Sequence, residues 1–373
     1  MTGRVLFHVQ YLLGIGHLQR SLRIAEALVA HGIAVTLLQG GPPIPGIGRA
    51  SGIDMVQLPP IRARDASFAL IDGDGNPVDD ELRAARRDTV LAALAEARPD
   101  VVVIEGYPFA RRAFRFELDP LIAAGRKAGS RIVCSVRDIP TVRDDPQRHR
   151  DIVARIEADF DRVLVHGDRN FIPFDAAFPL AKEIAGRLVY TGYVAPPPQP
   201  IADGMPTGEV LVSVGGGAAG QALLVAALEA LRQGCLAERP WRVLAGARLT
   251  NSAFAALQSA APPGIAIERF RSDFPALLHN CHVSVSQAGY NTVLDIVAAK
   301  ARAVLVQFSA ERETEQLIRA EHFARLGAAE LVRESELTPA RLAAAIERAA
   351  ARVPVPLAID TGGAARSGRK LPD

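Results

Sequence analysis

Nowhere does the sequence reach the ~18 uninterrupted apolar residues of a membrane span, and the short apolar segment at residues 4 to 9 carries no small-residue cleavage site of a secretory signal. The chain is expected to be cytoplasmic, with peripheral contact to the inner face of a membrane left open. Cysteine is scarce. Cys134, Cys235 and Cys281 stand far apart and form no CxxC pair, so they read as small core residues in a reducing compartment rather than a disulfide framework or a thiolate zinc site. An excess of charge of one sign is lacking too. Lys+Arg of 43 against Asp+Glu of 41 leaves a formal +2, whereas nucleic-acid binding by counterion release calls for a clear positive excess. Nucleic acid is therefore not expected as a partner. The stretch Asp72-Gly73-Asp74-Gly75-Asn76 resembles a calcium loop, but Pro77 stands where glycine is required and Arg83 where a bidentate glutamate is required. No metal site and no cofactor is expected.

What the sequence does hold is apolar mass and a repeating alternation. At 373 residues and 49% hydrophobic content it is long enough for two domains. Short β-branched runs (residues 4 to 10, 33 to 39, 54 to 59, 101 to 106, 131 to 138 and 162 to 167) alternate with segments of helical period. Between the first two runs, Leu18, Leu22, Ala25, Leu28 and Val29 recur at spacings of mostly three and four, as an amphipathic helix requires. Strands apolar at nearly every position belong to parallel sheets covered on both faces. The fold class is α/β.

After residues 188 to 194, Ala195-Pro196-Pro197-Pro198-Gln199-Pro200 can sustain neither a helix nor a central strand. The expected organisation is an N-terminal domain at 1–195, a proline-rich linker at 196–208 and a C-terminal domain at 209–373. The last residues are candidates to pack back on the N-terminal domain. The alternation restarts at 209 to 217 and continues through 241 to 246, 265 to 270, 282 to 289 and 303 to 308. Two such domains are expected to face each other across a cleft at the carboxyl ends of their strands, where α/β sheets bind ligands.

The chemistry-bearing residues fall at those strand ends. Gly14-Ile15-Gly16-His17 follows the first strand. Its glycines let backbone N–H groups approach a ligand, and a helix start carries about half a positive charge, so Gly14 and Gly16 form a candidate phosphate or acceptor loop. A dinucleotide fingerprint is not met, since Gln19 stands where the third glycine belongs. His17 titrates near neutrality and suits removal of a proton from a hydroxyl, and Glu105, at the end of the run 101 to 106, is a candidate to orient it. His166, at another strand end, is a candidate to line the same cleft. A second glycine turn, Gly215 to Gly217, also offers N–H groups to an anion. In Ser286-Gln287-Ala288-Gly289-Tyr290-Asn291, helix-start amides suit a diphosphate, and Asp295, one turn beyond Asn291, suits the two hydroxyls of a ribose. The bland alternative for Asp295 is an acid in the first helical turn, worth about 0.3–1 kcal/mol through the dipole. Glu315 and Gln316, opening another helix, suit vicinal sugar hydroxyls. Phe109 to Phe116 mixes aromatics with arginines, and reads as ordinary core cover or as a membrane contact.

The G-x-G-H turn, the glycine turn after the proline linker, the Q-A-G-Y-N-T-x-x-D block and the E-Q-x-x-R-A block, in this order, resemble the GT-B glycosyltransferases. They are most similar to the family-28 group around the undecaprenyl-linked N-acetylglucosaminyl transferase of peptidoglycan synthesis, including a set known only as predicted glycosyltransferases. The likeness is strong in the second domain and around residues 4 to 30. It implies a metal-independent, inverting hexosyltransferase of GT-B fold that takes a nucleotide sugar, most often UDP-linked, and passes the sugar to an acceptor hydroxyl, lipid-linked or on a small metabolite. Carried over, Phe270 and Arg271 frame the base, and Gly216, Gly217, Ala288, Gly289, Tyr290 and Asn291 hold the diphosphate. Asp295 then takes the ribose, Glu315 and Gln316 the donor sugar, and His17 is the first-domain histidine. The short G-x-G-H turn also resembles nucleotide-sugar hydrolases of the pseudaminic acid pathway. A hydrolase, an epimerase of the same architecture and a non-catalytic nucleotide-sugar-binding protein remain alternatives.

Overall fold

The structure, a computed structural model, describes residues 3–12, 14–44, 52–64, 68–140, 145–196, 207–214, 220–246, 249–307 and 315–371. Two compact units emerge, one of Met1–Ala195 with Ile359–Asp373, the other of Pro196–Ala358.

In the first unit the strands are β1 (Arg4–Val9), β2 (Ala34–Gln39), β3 (Ile53–Gln57), a small antiparallel hairpin of β4 (Arg62–Ala63) and β5 (Leu70–Ile71), then β6 (Val101–Glu105), β7 (Arg131–Arg137), β8 (Arg162–His166) and β9 (Leu188–Tyr190). Its helices are α1 (Gly16–Ala30), α2 (Asp80–Ala97), α3 (Arg115–Lys127) and α4 (Pro146–Asp159). Apart from the hairpin the strands form one parallel sheet in the order β3-β2-β1-β6-β7-β8-β9. Alternate residues serve opposite faces. Val5, Phe7 and Val9 pack with Leu18, Leu22, Ala25 and Leu28 of α1, while Leu6 joins Val90, Leu118 and Leu121 beneath α2 and α3. That two-sided burial is why the strand sequences are apolar at nearly every position. Capping side chains set several helix starts. Asp79 accepts from Leu82 N at 2.8 Å before α2, and Asp145 accepts from Gln147 N and Arg148 N before α4, whose first residue is Pro146.

The second unit repeats the plan with β10 (Val210–Ser213), β11 (Trp241–Leu244), β12 (Ala266–Glu268), β13 (Val283–Gln287), β14 (Ala303–Gln307) and β15 (Glu330–Arg333), and with α5 (Gln221–Arg232), α6 (Asn251–Ser259), α7 (Phe274–Asn280), α8 (Tyr290–Ala299), α9 (Glu315–Arg325) and α10 (Pro339–Ala351). The strand order is β12-β11-β10-β13-β14-β15, again parallel. In both sheets the winding direction reverses beside the first strand, between β1 and β6 and between β10 and β13. Such a switch point opens a crevice at the carboxyl ends of the strands.

The last helix, α11 (Gly363–Lys370), belongs to the first unit. Tyr193 N donates to Asp360 O at 2.7 Å, Gly363 N donates to Tyr193 O at 3.0 Å, and α11 lies on α1. A Cβ on Gly363 would collide with the Gly192 carbonyl, so only glycine permits this approach. Among the described residues no helix is long and apolar enough to cross a membrane, and Cys134, Cys235 and Cys281 are free thiols.

Candidate active site

At the carboxyl edge of the first sheet, strand parity decides what faces what. Val101, Val103, Val133 and Leu164 face α1, so Glu105, Ser135, Arg137 and His166, each an even number of residues further along its strand, share that face. Glu105 ends β6 at the switch point, and His17 is the second residue of α1. His17 Nδ1 lies 2.7 Å from Glu105 Oε1. Arg20, three residues further along α1, places Nη2 2.5 Å from the same oxygen and 3.4 Å from His17 Nδ1. Arg111 approaches Glu105 Oε2 at 3.6 Å, from a left-handed backbone conformation (φ 63°) uncommon for a side-chain-bearing residue. His17 keeps a quarter of its side chain exposed, whereas Glu105 is 1% and Arg20 3% exposed.

Burial pushes His17 down to about 4. The Glu105 charge opposes that shift, and the charges of Arg111 and Arg137 add to it. Burial acts upward on Glu105, yet His17, Arg20 and Arg111 hold its carboxyl far below the usual range. An imidazole neutral beside an ionised carboxylate carries its proton on Nδ1, which leaves Nε2 as the acceptor. His17 can thus take a proton throughout the neutral range.

Glycine at position 14 is not required by the backbone. It lies outside the left-handed region and a Cβ there would meet nothing within 4 Å. Nor does any side chain cap α1 or any acid occupy its first turn, so its leading N–H groups keep their donor capacity.

Two features lay beyond the sequence reading. Arg86 of α2 is fully buried and grips both oxygens of Glu117 at 2.7 Å through Nε and Nη2, while Nη2 also donates to Gln10 Oε1 (2.9 Å) and Nη1 donates to Gly40 O (2.9 Å) and Pro59 O (2.6 Å). His8 Nε2 meets Glu117 Oε1 at 3.0 Å. The network ties down the segments that follow β1, β2 and β3, and sequence separations of up to 109 residues hide it from local pattern reading. The other feature corrects an expectation. His166 does not line an open surface: it is 0% exposed, with Nε2 2.8 Å from Ser135 Oγ and Nδ1 2.9 Å from Thr191 Oγ1, and burial pushes it down to about 3. In the stretch 109 to 116, Phe109 and Phe114 are buried, Arg112 and Arg115 are exposed, and the α-helix begins only at Arg115.

In the second unit the strand-to-helix turn after β13 is compact. Ala288 is buried, Gly289 caps α8, and a Cβ on Gly289 would approach only Thr292 Oγ1, at 3.9 Å. As at α1, there is no capping side chain and no acid in the first turn. Asp295 is the sixth residue of α8, so the helix-start explanation for its charge does not apply. Asn291 Oδ1 is buried without a hydrogen-bond partner among the described residues. Arg319, which the sequence reading passed over, is 1% exposed and joins this turn to α9, donating to Ala288 O (2.8 Å) and to Glu315 Oε1 (2.8 Å) with its guanidinium 5.8 Å from the centroid of the Tyr290 ring. Its spacing of four from Glu315 within one helix is a legible signal. Glu315 is buried in that pair and its neighbour Gln316 is half-buried. Phe270 is 69% exposed. Arg271 is fixed by Asp273 (2.7 and 2.5 Å) and by Glu268 at 3.4 Å. Gly215, Gly216, Gly217 and the stretch from Ser309 to Thr314 lie outside the described residues. Among the described residues no group of three or more His, Cys, Asp or Glu is placed to hold a metal ion.

Residues 211–358 match the glycosyltransferase family 28 C-terminal domain. Over 355 residues the chain is 28% identical to the UDP-N-acetylglucosamine--N-acetylmuramyl-(pentapeptide) pyrophosphoryl-undecaprenol N-acetylglucosamine transferase of Phenylobacterium zucineum, covering 89% of this chain and 86% of that protein. Among solved structures, the calicheamicin glycosyltransferase CalG4 aligns with a TM-score of 0.63 at 19% identity, over 99% of this chain and 92% of that one. MurG of Acinetobacter baumannii aligns with a TM-score of 0.63 at 18% identity, over 99% of both chains. Two parallel sheets, each with its switch point, and these likenesses define the class: the protein is a GT-B glycosyltransferase. Within that class the chain is similar to family 28, whose C-terminal domain matches residues 211–358 of the second unit.

Proposed function

We propose that the enzyme is an inverting, metal-independent transferase that uses a UDP-sugar, with His17 as the base. The relative from Phenylobacterium carries UDP-N-acetylglucosamine in its name, which supports uridine as the nucleotide. In this reading the acceptor hydroxyl gives its proton to His17 Nε2 while its oxygen bonds to the anomeric carbon. The bond from that carbon to the diphosphate oxygen breaks, and its electron pair leaves with the diphosphate. A single displacement inverts the anomeric centre, and a positioned base contributes about 10²–10⁴ in rate. Charge on the departing diphosphate is met by the uncapped amides of α8. Asp295 accepts from the ribose, Gln316 contacts the donor sugar, and Arg319 holds Glu315 and the Ala288 turn in place.

The observation that carries the reading is His17 on Glu105 at 2.7 Å, beside the reversal of strand order, with part of the imidazole still exposed. A thermal-shift series with nucleotide sugars tests the donor, since a ligand at 100 times its Kd adds ~2.7 kcal/mol. UDP-sugars are expected to raise Tm more than GDP- or ADP-sugars. Equal shifts for all, or none, overturn the uridine assignment. Release of UDP without any acceptor, at the rate seen with one, would make the enzyme a hydrolase.

A further inference from the structure

Glu105 faces more positive charge than one histidine needs. Its Oε1 accepts from both His17 Nδ1 and Arg20 Nη2, Arg111 stands by Oε2, and Arg137 shares the same sheet face one strand away. His166, on β8, also faces this face and is held neutral by its burial. Two guanidinium groups thus stand against one carboxylate with a third on the same sheet face, and Arg20 reaches both partners of the dyad. Were Glu105 to serve His17 only, its full charge would draw a proton onto Nε2 and remove the base. Were Arg20 to donate to His17 Nδ1 instead, the ring proton would move to Nε2 with the same result. The shorter contact, 2.7 Å to Glu105 against 3.4 Å to Arg20, selects the tautomer with Nδ1 as donor.

We infer that Arg20 is a positioning residue: it fixes the Glu105 carboxylate against His17 Nδ1 and takes up part of its charge, so that the imidazole stays neutral with Nε2 as proton acceptor. This rests on the reading of His17 as the base, but it can be measured without turnover. In full-length protein labelled with ¹⁵N,¹³C-histidine, the His17 resonance is assigned by its loss in His17→Ala and followed from pH 8 to pH 4.

Wild-type His17 is expected to remain the Nδ1–H tautomer and to titrate below pH 5. In Arg20→Gln the midpoint moves up by about one pH unit or more, a tenfold gain in proton affinity per unit, whereas Arg20→Lys, which keeps the charge, stays close to wild type. The acid limb of kcat/KM moves with these midpoints while KM for the donor is unchanged. An unmoved midpoint in folded Arg20→Gln overturns the inference. Should that variant fail to fold, a wild-type midpoint at or above 6.5, or an Nε2–H tautomer, overturns it equally. Full activity of His17→Ala strikes the base reading instead, and leaves the measured effect of Arg20 on the imidazole standing.

Discussion

The two units carry sheets of nearly the same plan and build their sites in opposite ways. The first brings together residues 17, 20, 105, 111 and 137 from one helix start, two strands and a loop, and buries their charges against each other. The second draws on two contiguous blocks, 288–295 and 315–319, joined by one guanidinium. A site assembled by long-range charge pairing is costly to disturb. One assembled from helix starts is expected, outside the buried Arg319–Glu315 pair, to lose ligand contacts rather than stability when a side chain is removed.

The largest expected effect follows from that contrast. Glu105→Ala leaves Arg20 and Arg111 buried without their counter-charge and is expected to cost about 3–5 kcal/mol, read by chemical denaturation. A cost under about 1 kcal/mol would place the first site in the same class as the second.

Acid should separate the units next. His17 and His166 have folded-state values of about 4 and about 3 against an ordinary 6.5, so both favour the unfolded chain as pH falls below 6.5. Glu105 and Glu117, held low, add stability that is present above their ordinary carboxylate value and lost as pH falls through their folded one. All four lie in the first unit and all act in the same direction. Hydrogen exchange between pH 7 and pH 4 is expected to show the first unit opening before the second, with a loss of several kcal/mol. His166→Gln should flatten that dependence. Simultaneous opening of both units would break the comparison.

The smallest effect distinguishes neighbours. Glu315 is committed to Arg319 and Gln316 is not buried with it, so Gln316→Ala is expected to weaken the nucleotide sugar about fivefold, the loss of one hydrogen bond of ~1 kcal/mol. Free UDP should bind unchanged. A loss of UDP affinity would move Gln316 from the sugar to the nucleotide.

Legibility in the sequence follows the same divide. Alternating apolar runs and helical periods reveal both sheets, because two-sided burial leaves its mark on every strand. The candidates of the second unit are local: Asn291 and Asp295 are helical neighbours picked out by their spacing, whereas Glu315 was picked out beside Gln316 without its helical partner Arg319. In the first site Glu105 was reachable, being a charged residue ending a run of valines with the parity of Val101 and Val103. Arg137 was not, because only the parallel pairing of β6 with β7 brings its strand beside Glu105, and neither was Arg111, which sits in the irregular loop after β6 where no periodicity marks it. His166 misled for a related reason. A histidine at a strand end resembles a ligand until Ser135 and Thr191, from other strands, take both its nitrogens.

The central claim divides the labour: the second unit grips the donor and the first removes the proton. It is tested most directly by measuring UDP-sugar affinity and single-turnover transfer side by side in His17→Ala and Asp295→Ala. The account predicts that His17→Ala binds donor within about twofold of wild type while transfer falls by about 10²–10⁴, and that Asp295→Ala weakens donor binding by about 10–100-fold through lost charge-assisted hydrogen bonds. Transfer undiminished in His17→Ala, or donor affinity undiminished in Asp295→Ala, would contradict it.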